Sequence, residues 1–219
     1  MTGRVFALMC LVVAGSVAPA LAQTAAAPAP RSRIGFRAFG HFEWQNMAAK
    51  DSFEAVTGKT RLQGPGGGVE MQRIWRGVFA RVSFTRMVET GERVFVFDNE
   101  AISLGIPLEI TMTPVDLAVG WRLGPKTSRG IVPYAGAGMV LLSYKETSDA
   151  DVSGEAVNES YKGIVIFGGL EVPVWRFVSV GGEVGWRQVN VPDPGGALEA
   201  FNEKDLGGVT MRVMLSIRK

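Results

Sequence analysis

Ile34-Gly35-Phe36-Arg37-Ala38-Phe39-Gly40-His41-Phe42-Glu43-Trp44 is the stretch on which the fold turns. Ile34, Phe36, Ala38, Gly40, Phe42 and Trp44 share one parity. Arg37, His41 and Glu43 share the other, with Phe39 as the apolar exception. A period of two is that of a β-strand whose two faces meet different surroundings.

The rhythm recurs to the end of the chain. Val69 and Met71 alternate with Glu70 and Gln72, and Val78, Ala80, Val82 and Phe84 with Arg81, Ser83 and Thr85. Val115, Leu117, Val119, Trp121 and Leu123 oppose Asp116 and Arg122, while Leu108, Ile110 and Met112 fall out of phase with them. Pro114 lies at the change, which predicts a β-bulge there. Ile131 to Tyr144 is glycine-rich and ambiguous in its faces. Ile164, Ile166, Leu170, Val172 and Val174 oppose Glu171; Val178, Val180, Val184 and Trp186 oppose Ser179, Glu183 and Arg187; Val209, Met211, Val213, Leu215 and Ile217 oppose Thr210, Arg212 and Ser216.

The connectors run long, short, long, short. The long ones are Gln45 to about Gly66, Glu89 to about Gly105, Glu146 to Ser160 and Pro192 to Asp205. The first holds Met47-Ala48-Ala49-Lys50, a candidate helical turn, and Gly64-Pro65-Gly66-Gly67-Gly68; in the second, Arg93 to Phe97 has the composition to prolong the strands. The short ones lie at Arg73 to Gly77, Gly124 to Gly130 and Trp175 to Phe177. Eight or so strands of about ten residues, with loops long on one side and short on the other, predict an all-β, closed antiparallel up-and-down transmembrane β-barrel with short periplasmic turns and long extracellular loops. Aromatic residues fall at both ends of the strands: Trp75, Trp121, Tyr134, Trp175 and Phe177 near the short turns, and Trp44, Phe84, Tyr144, Tyr161 and Trp186 toward the long loops. Two interfacial girdles are expected from them.

The N-terminus reads as an export signal. Arg4 supplies a positive charge, Val5 to Val13 an apolar core, and Ala20-Leu21-Ala22 a small-x-small cleavage site before Gln23. Residues 1–22 are thus expected to be a signal peptide, residues 23–33 an Ala/Pro-rich tail, and residues 34–219 the barrel. Cys10, the only cysteine, falls inside the signal, so no disulfide is expected. With 23 Lys+Arg against 21 Asp+Glu the charge is nearly balanced, which argues against a nucleic-acid partner. The chain resembles the small outer-membrane barrels of the OmpA/OmpX type, on the strength of Val132-Pro133-Tyr134-Ala135-Gly136-Ala137-Gly138, similar to a strand opening common among them. The resemblance implies residence in the cell outer membrane as a monomer, with membrane lipid, lipopolysaccharide and the assembly machinery as partners. It departs at the C-terminus, where Ile217-Arg218-Lys219 stands in place of the usual aromatic residue.

Three groups of residues are candidate sites. Glu43, Glu70, Asp116, Glu171 and Glu183 face the barrel interior with Arg37, Arg81, Arg122, Arg187 and Arg212. An eight-stranded lumen is filled by its own side chains, so these are expected to pair across a closed interior, for instance Arg187 or Arg212 with Glu171 or Glu183. His41 shares a face with Glu43 and opens a second possibility, a lipid-modifying enzyme; no serine is tied to it by a motif, and a hydrogen-bonding role is expected instead. Asp149-Ala150-Asp151-Val152-Ser153-Gly154 begins like a calcium loop, but Ser160 stands where the bidentate Glu belongs and Glu159 is one place early. A solvated acidic loop is expected, with no metal, no cofactor and no catalytic residue. A third possibility, a secreted lipocalin-like carrier, requires the apolar faces to point inward.

Overall fold

The computed structural model describes residues 34–97, 100–123, 130–148, 158–192 and 196–218. Along the chain the elements are β1 (Gly35–Met47), α1 (Lys50–Thr57), β2 (Arg61–Gln72), β3 (Val78–Thr85), β4 (Met87–Phe97), β5 (Glu100–Arg122), β6 (Val132–Thr147), β7 (Asn158–Pro173), β8 (Val178–Val189), α2 (Gly196–Ala200) and β9 (Gly208–Arg218). All pairings are antiparallel, β1 joins β9, and β3 joins β5, so the sheet closes on itself. β3 and β4 are two parts of one traverse: both pair with β5, in the same register, before and after Arg86. The ring therefore has eight traverses, and β4 extends outside it, paired to β5 alone.

The strand parities are those the alternation predicts. Phe36, Phe42, Val82, Phe84, Leu117, Val119, Ile164, Ile166, Val180 and Val184 are exposed on the outer wall, while Arg37, Glu43, Arg81, Asp116, Glu183 and Arg212 are buried. From Val209 to Ile217 the outer residues of β9 are Val, Met, Val, Leu and Ile, roughly 27 Å of strand. Tilt brings that length near the apolar band, about 25 Å tall, of outer-membrane barrels. A lipocalin-like carrier would have the opposite polarity, and the placement of apolar side chains outside overturns that alternative.

Four local expectations are corrected. Gly64 to Gly68 lie inside β2, not in a connector. Their small size answers a tertiary demand: a Cβ on Gly66 would collide with the His41 ring, and one on Gly68 with the Phe39 ring. Met47 ends β1, and the helix begins at Lys50. Glu89 to Phe97 and Glu100 to Gly105 belong to the paired strands β4 and β5 rather than to a loop, so of that expectation only the strand-prolonging role of Arg93 to Phe97 holds. Pro114 marks no bulge. Leu108, Ile110, Met112, Asp116 and Ala118 are all buried on one parity, and the pairing with β6 runs unbroken from Glu109 to Arg122. Proline instead removes an N–H from the ladder toward the other neighbour, where β3 gives way to β4. The register shift lies elsewhere, between Glu92 and Val94.

The aromatic girdles are only partly as expected. Trp75, Trp121, Trp175 and Phe177 are exposed at the short-turn end, and Phe84 and Trp186 on the outer wall toward the long loops. Tyr134 and Tyr144 are buried inside the barrel, and Tyr161 packs against the interior cluster that contains Tyr144. Parity decides this: Tyr134 and Tyr144 share the inward phase of Val132, Val140 and Leu142.

Val213 lies midway along the outer face of β9. Val213→Arg should lower the stability of the vesicle-folded barrel by about 2–4 kcal/mol, measured by urea titration. An unchanged midpoint would mean that this wall does not face hydrocarbon.

Candidate functional site

The content of the interior is set by which inward residue each strand supplies at each height. One group of rings, Phe39, Phe79, Tyr134 and Phe167, surrounds the Arg81 guanidinium, whose carbon lies 5.3, 5.3, 5.3 and 4.7 Å from their centres. Arg122 lies over Phe79 and Tyr134 at 5.4 and 4.9 Å. Faces of aromatic rings attract a desolvated cation, so the group is both apolar and cation-compatible.

Ion pairs lie on both sides of these rings, with Arg37, Glu70, Arg122 and Glu171 toward the short turns and Glu43, Asp116, Arg187 and Arg212 toward the long loops. Arg37 bonds Glu171 and lies 3.2 Å from Glu70. Arg81 reaches Glu183 at 2.5 Å and Glu70 at 3.2 Å. Arg122 meets Glu70 at 3.0 Å and bonds Glu171. Arg187 bonds Glu43, contacts Asp116 at 2.8 Å and the Gln45 amide oxygen at 2.8 Å. Arg212 bonds Glu43 and reaches Asp116 at 2.5 Å and Glu183 at 3.1 Å. The ten groups singled out from the sequence thus form one network, five cations against five anions. The expected Arg212–Glu183 pair is present; Arg187 goes to Glu43 and Asp116, and Glu171 to Arg37 and Arg122.

His41 belongs to the group toward the long loops. Its Nε2 lies 2.9 Å from the Thr85 hydroxyl, which donates to Glu43 at 2.9 Å. Because the hydroxyl proton is committed to Glu43, Nε2 of His41 is the donor to Thr85. The side chains of His41 and Glu43 are fully enclosed. The residues beside the ring are Thr85, Gly66 and Phe39, and no serine contacts it among the described hydrogen bonds. The arrangement orients the ring through Nε2 and leaves its buried Nδ1 without a hydrogen-bond partner among the described residues.

The mouth at the long-loop end is apolar. Met47, Phe53, Leu62, Met87, Leu108, Ile110, Met112, Val140, Leu142, Val189, Val191 and Leu206 form one buried cluster. Phe53 comes from α1, whose apolar side therefore closes the barrel's mouth. No N-cap side chain serves α1; the Glu203 carboxylate accepts from the backbone N–H of Asp51 (3.2 Å) and Ser52 (2.9 Å) and from the Ser52 hydroxyl (2.6 Å). An anion at a helix N-terminus satisfies orphan donors and opposes the positive end of the helix dipole. Sequence reasoning misses this lid; the one signal of an apolar upper lumen is the parity of Leu108, Ile110 and Met112.

No group of three or more metal-ligating side chains occurs among the described residues. Residues 149–154, the calcium-like start, lie outside the described residues; Glu159 and Ser160 are near the start of β7. One open concavity lies on the outer wall instead, between Leu170, Val172, Val180 and Val184 over glycines of β7 and β8.

No family model matches the sequence, and no curated protein matches it. Solved structures do. A major outer membrane protein of Thermus thermophilus superposes with a TM-score of 0.58 at 10% identity, over 86% of this chain and 100% of that one. Neisserial surface protein A gives 0.51 at 10% identity, over 84% and 96%. Ail, the attachment invasion locus protein of Yersinia pestis, solved with the heparin analogue sucrose octasulfate, gives 0.50 at 10% identity, over 84% and 99%. The fold is therefore that of the small eight-stranded outer-membrane barrels.

Arg212 bridges three carboxylates, so its loss leaves buried negative charge. Arg212→Met should destabilise the barrel by about 3–5 kcal/mol in equilibrium unfolding. A near-neutral result would show that water reaches Glu43, Asp116 and Glu183 around Arg212.

Proposed function

We propose that the chain is an integral barrel of a Gram-negative-type outer membrane, serving envelope integrity or surface contact through its long-loop end, with no transport and no catalysis. The observation that carries this reading is the inverted polarity of the wall. The outer face is apolar from Phe36 to Trp44 and from Val209 to Ile217, while the interior holds the paired charges. Such a wall is favourable only against hydrocarbon.

The likeness to outer-membrane proteins supports the location, and the filled interior supports the exclusion of a channel. Ion pairs, aromatic rings and the apolar cluster under α1 fill a lumen that is narrow to begin with. The enclosure of His41 argues against the lipid-modifying alternative. Surface contact is favoured by the β4–β5 hairpin, which presents Phe95, Ile102 and Leu104 to the exterior beyond the ring. The complex of Ail with a heparin analogue is a precedent for ligand contact by a barrel of this fold. The short turns then face the periplasm and the long loops the outside. Residues 1–22 act as a removed signal, the mature chain starts at Gln23, residues 23–33 form a tail, and the assembly machinery inserts the barrel as a monomer.

Two measurements test the reading together. The protein should fractionate with the outer membrane and require detergent for extraction, with Gln23 at its N-terminus. Planar-bilayer recordings of the purified barrel should show no large, long-lived conductance. Recovery from the soluble periplasm would reject the membrane assignment, and steady porin-sized channels would reject the closed lumen.

A further inference from the structure

Where the apolar belt ends on the long-loop side, the outer wall of β5, β6 and β7 changes character within one residue pair. Val115, Leu141 and Ile164 are the last apolar residues of the belt on these strands. Beyond them, on the same outward parity, come Thr113 and Thr111 on β5, Ser143 and Lys145 on β6, and Lys162, Ser160 and Asn158 on β7. The register places Leu141 opposite Lys162, Ser143 opposite Ser160, and Lys145 opposite Asn158. On the other flank Thr113 faces Ser143 and Thr111 faces Lys145.

The result is a compact cluster: two lysines at diagonal corners of a Ser143–Ser160 pair, with two threonine hydroxyls alongside. Lys145, Lys162, Ser143 and Ser160 are exposed. The two lysine rows are four residues apart, roughly 13 Å along the strands, within the combined reach of two long flexible side chains. The acidic residues nearby are otherwise placed. Glu159 bonds Tyr161 and Glu146 bonds Tyr144, and the nearest outward carboxylate, Glu109, lies a row beyond Thr111 opposite Thr147. No ion pair involves Lys145 or Lys162 among the described residues, whereas Lys59 is held by Glu89 at 2.7 Å.

We propose that this cluster binds the phosphate of a membrane-lipid headgroup in the leaflet at the long-loop end. A phosphate is anionic and accepts only, while the two lysine ammonium groups, neither in an ion pair among the described residues, and the hydroxyls supply donors. The depth selects a lipid as its source, because the cluster begins directly above Val115, Leu141 and Ile164, where headgroups meet the hydrocarbon edge. This inference rests on the membrane reading given above, and the two can fail separately.

The test uses the full mature barrel refolded into phosphatidylcholine vesicles containing diphosphoryl lipid A. Insertion is read by protease protection, and glycolipid retained per barrel after mild detergent extraction is counted by mass spectrometry. Lys145→Gln with Lys162→Gln should weaken retention by roughly tenfold to thirtyfold. Arg61→Gln with Arg86→Gln removes the same charge from the β2–β3 wall and should change retention less than twofold. Equal retention by the lysine double variant, or an equal loss in the arginine control, would overturn the site. Stripping of the glycolipid by excess inorganic phosphate would show a free-anion site and overturn the lipid assignment. A barrel that fails to insert would bring down the membrane reading and this inference with it.

Discussion

Five arginines and five carboxylates share an interior largely removed from bulk water, and the barrel's architecture has to satisfy them. An ion moved out of water loses several kcal/mol of solvation that only a close counter-ion and good hydrogen bonds offset. Each carboxylate of the network contacts at least two arginines, and Glu70 meets three. Such sharing demands that β1, β2, β3, β5, β7, β8 and β9 all deliver charged side chains to one interior network. Register is therefore under tight constraint, since a slip of one residue would turn a strand's charges out into the lipid-facing wall.

Apolar groups divide and cover that network. Rings of Phe39, Phe79, Tyr134 and Phe167 lie between its two halves while accommodating Arg81, and the cluster under α1, with Met47, Met87 and Met112, covers the long-loop side. Methionine fills irregular gaps well, which suits a tapering space between a curved sheet and a short helix. Surroundings of low polarity strengthen each ion pair and raise the penalty for breaking one.

The legible part of this fold is the part decided by local alternation. The charged inward residues can be named from parity alone because, at their height, the two faces meet opposite media. Nearer the mouth the faces differ less sharply: Leu108, Ile110 and Met112 are apolar yet inward, so hydropathy alone assigns them to the lipid and invents a slip at Pro114 to do it. The same ambiguity hides Tyr134 and Tyr144, whose place near a strand end says nothing about which side of the wall they occupy. Gly64 to Gly68 look like a loop because glycine's usual local reason is a turn, whereas here the reason is the bulk of Phe39 and His41 on the neighbouring strand. Pairing partners within the charge network, and the capping of α1 by Glu203, depend on contacts between distant segments that no periodicity encodes.

The Glu203 cap also carries a consequence in time. It joins residues 151 and 152 positions apart, so the first loop's helix has no partner for its N-terminus until almost the whole chain is present. β9, which follows directly, supplies the strand that seals the ring against β1. The stopper and the seam thus draw on the same late stretch of polypeptide. An unfinished or truncated chain would be left with an open seam and an unfastened stopper at once, a state in which the charged interior is accessible and the protein is easily told apart from a completed one.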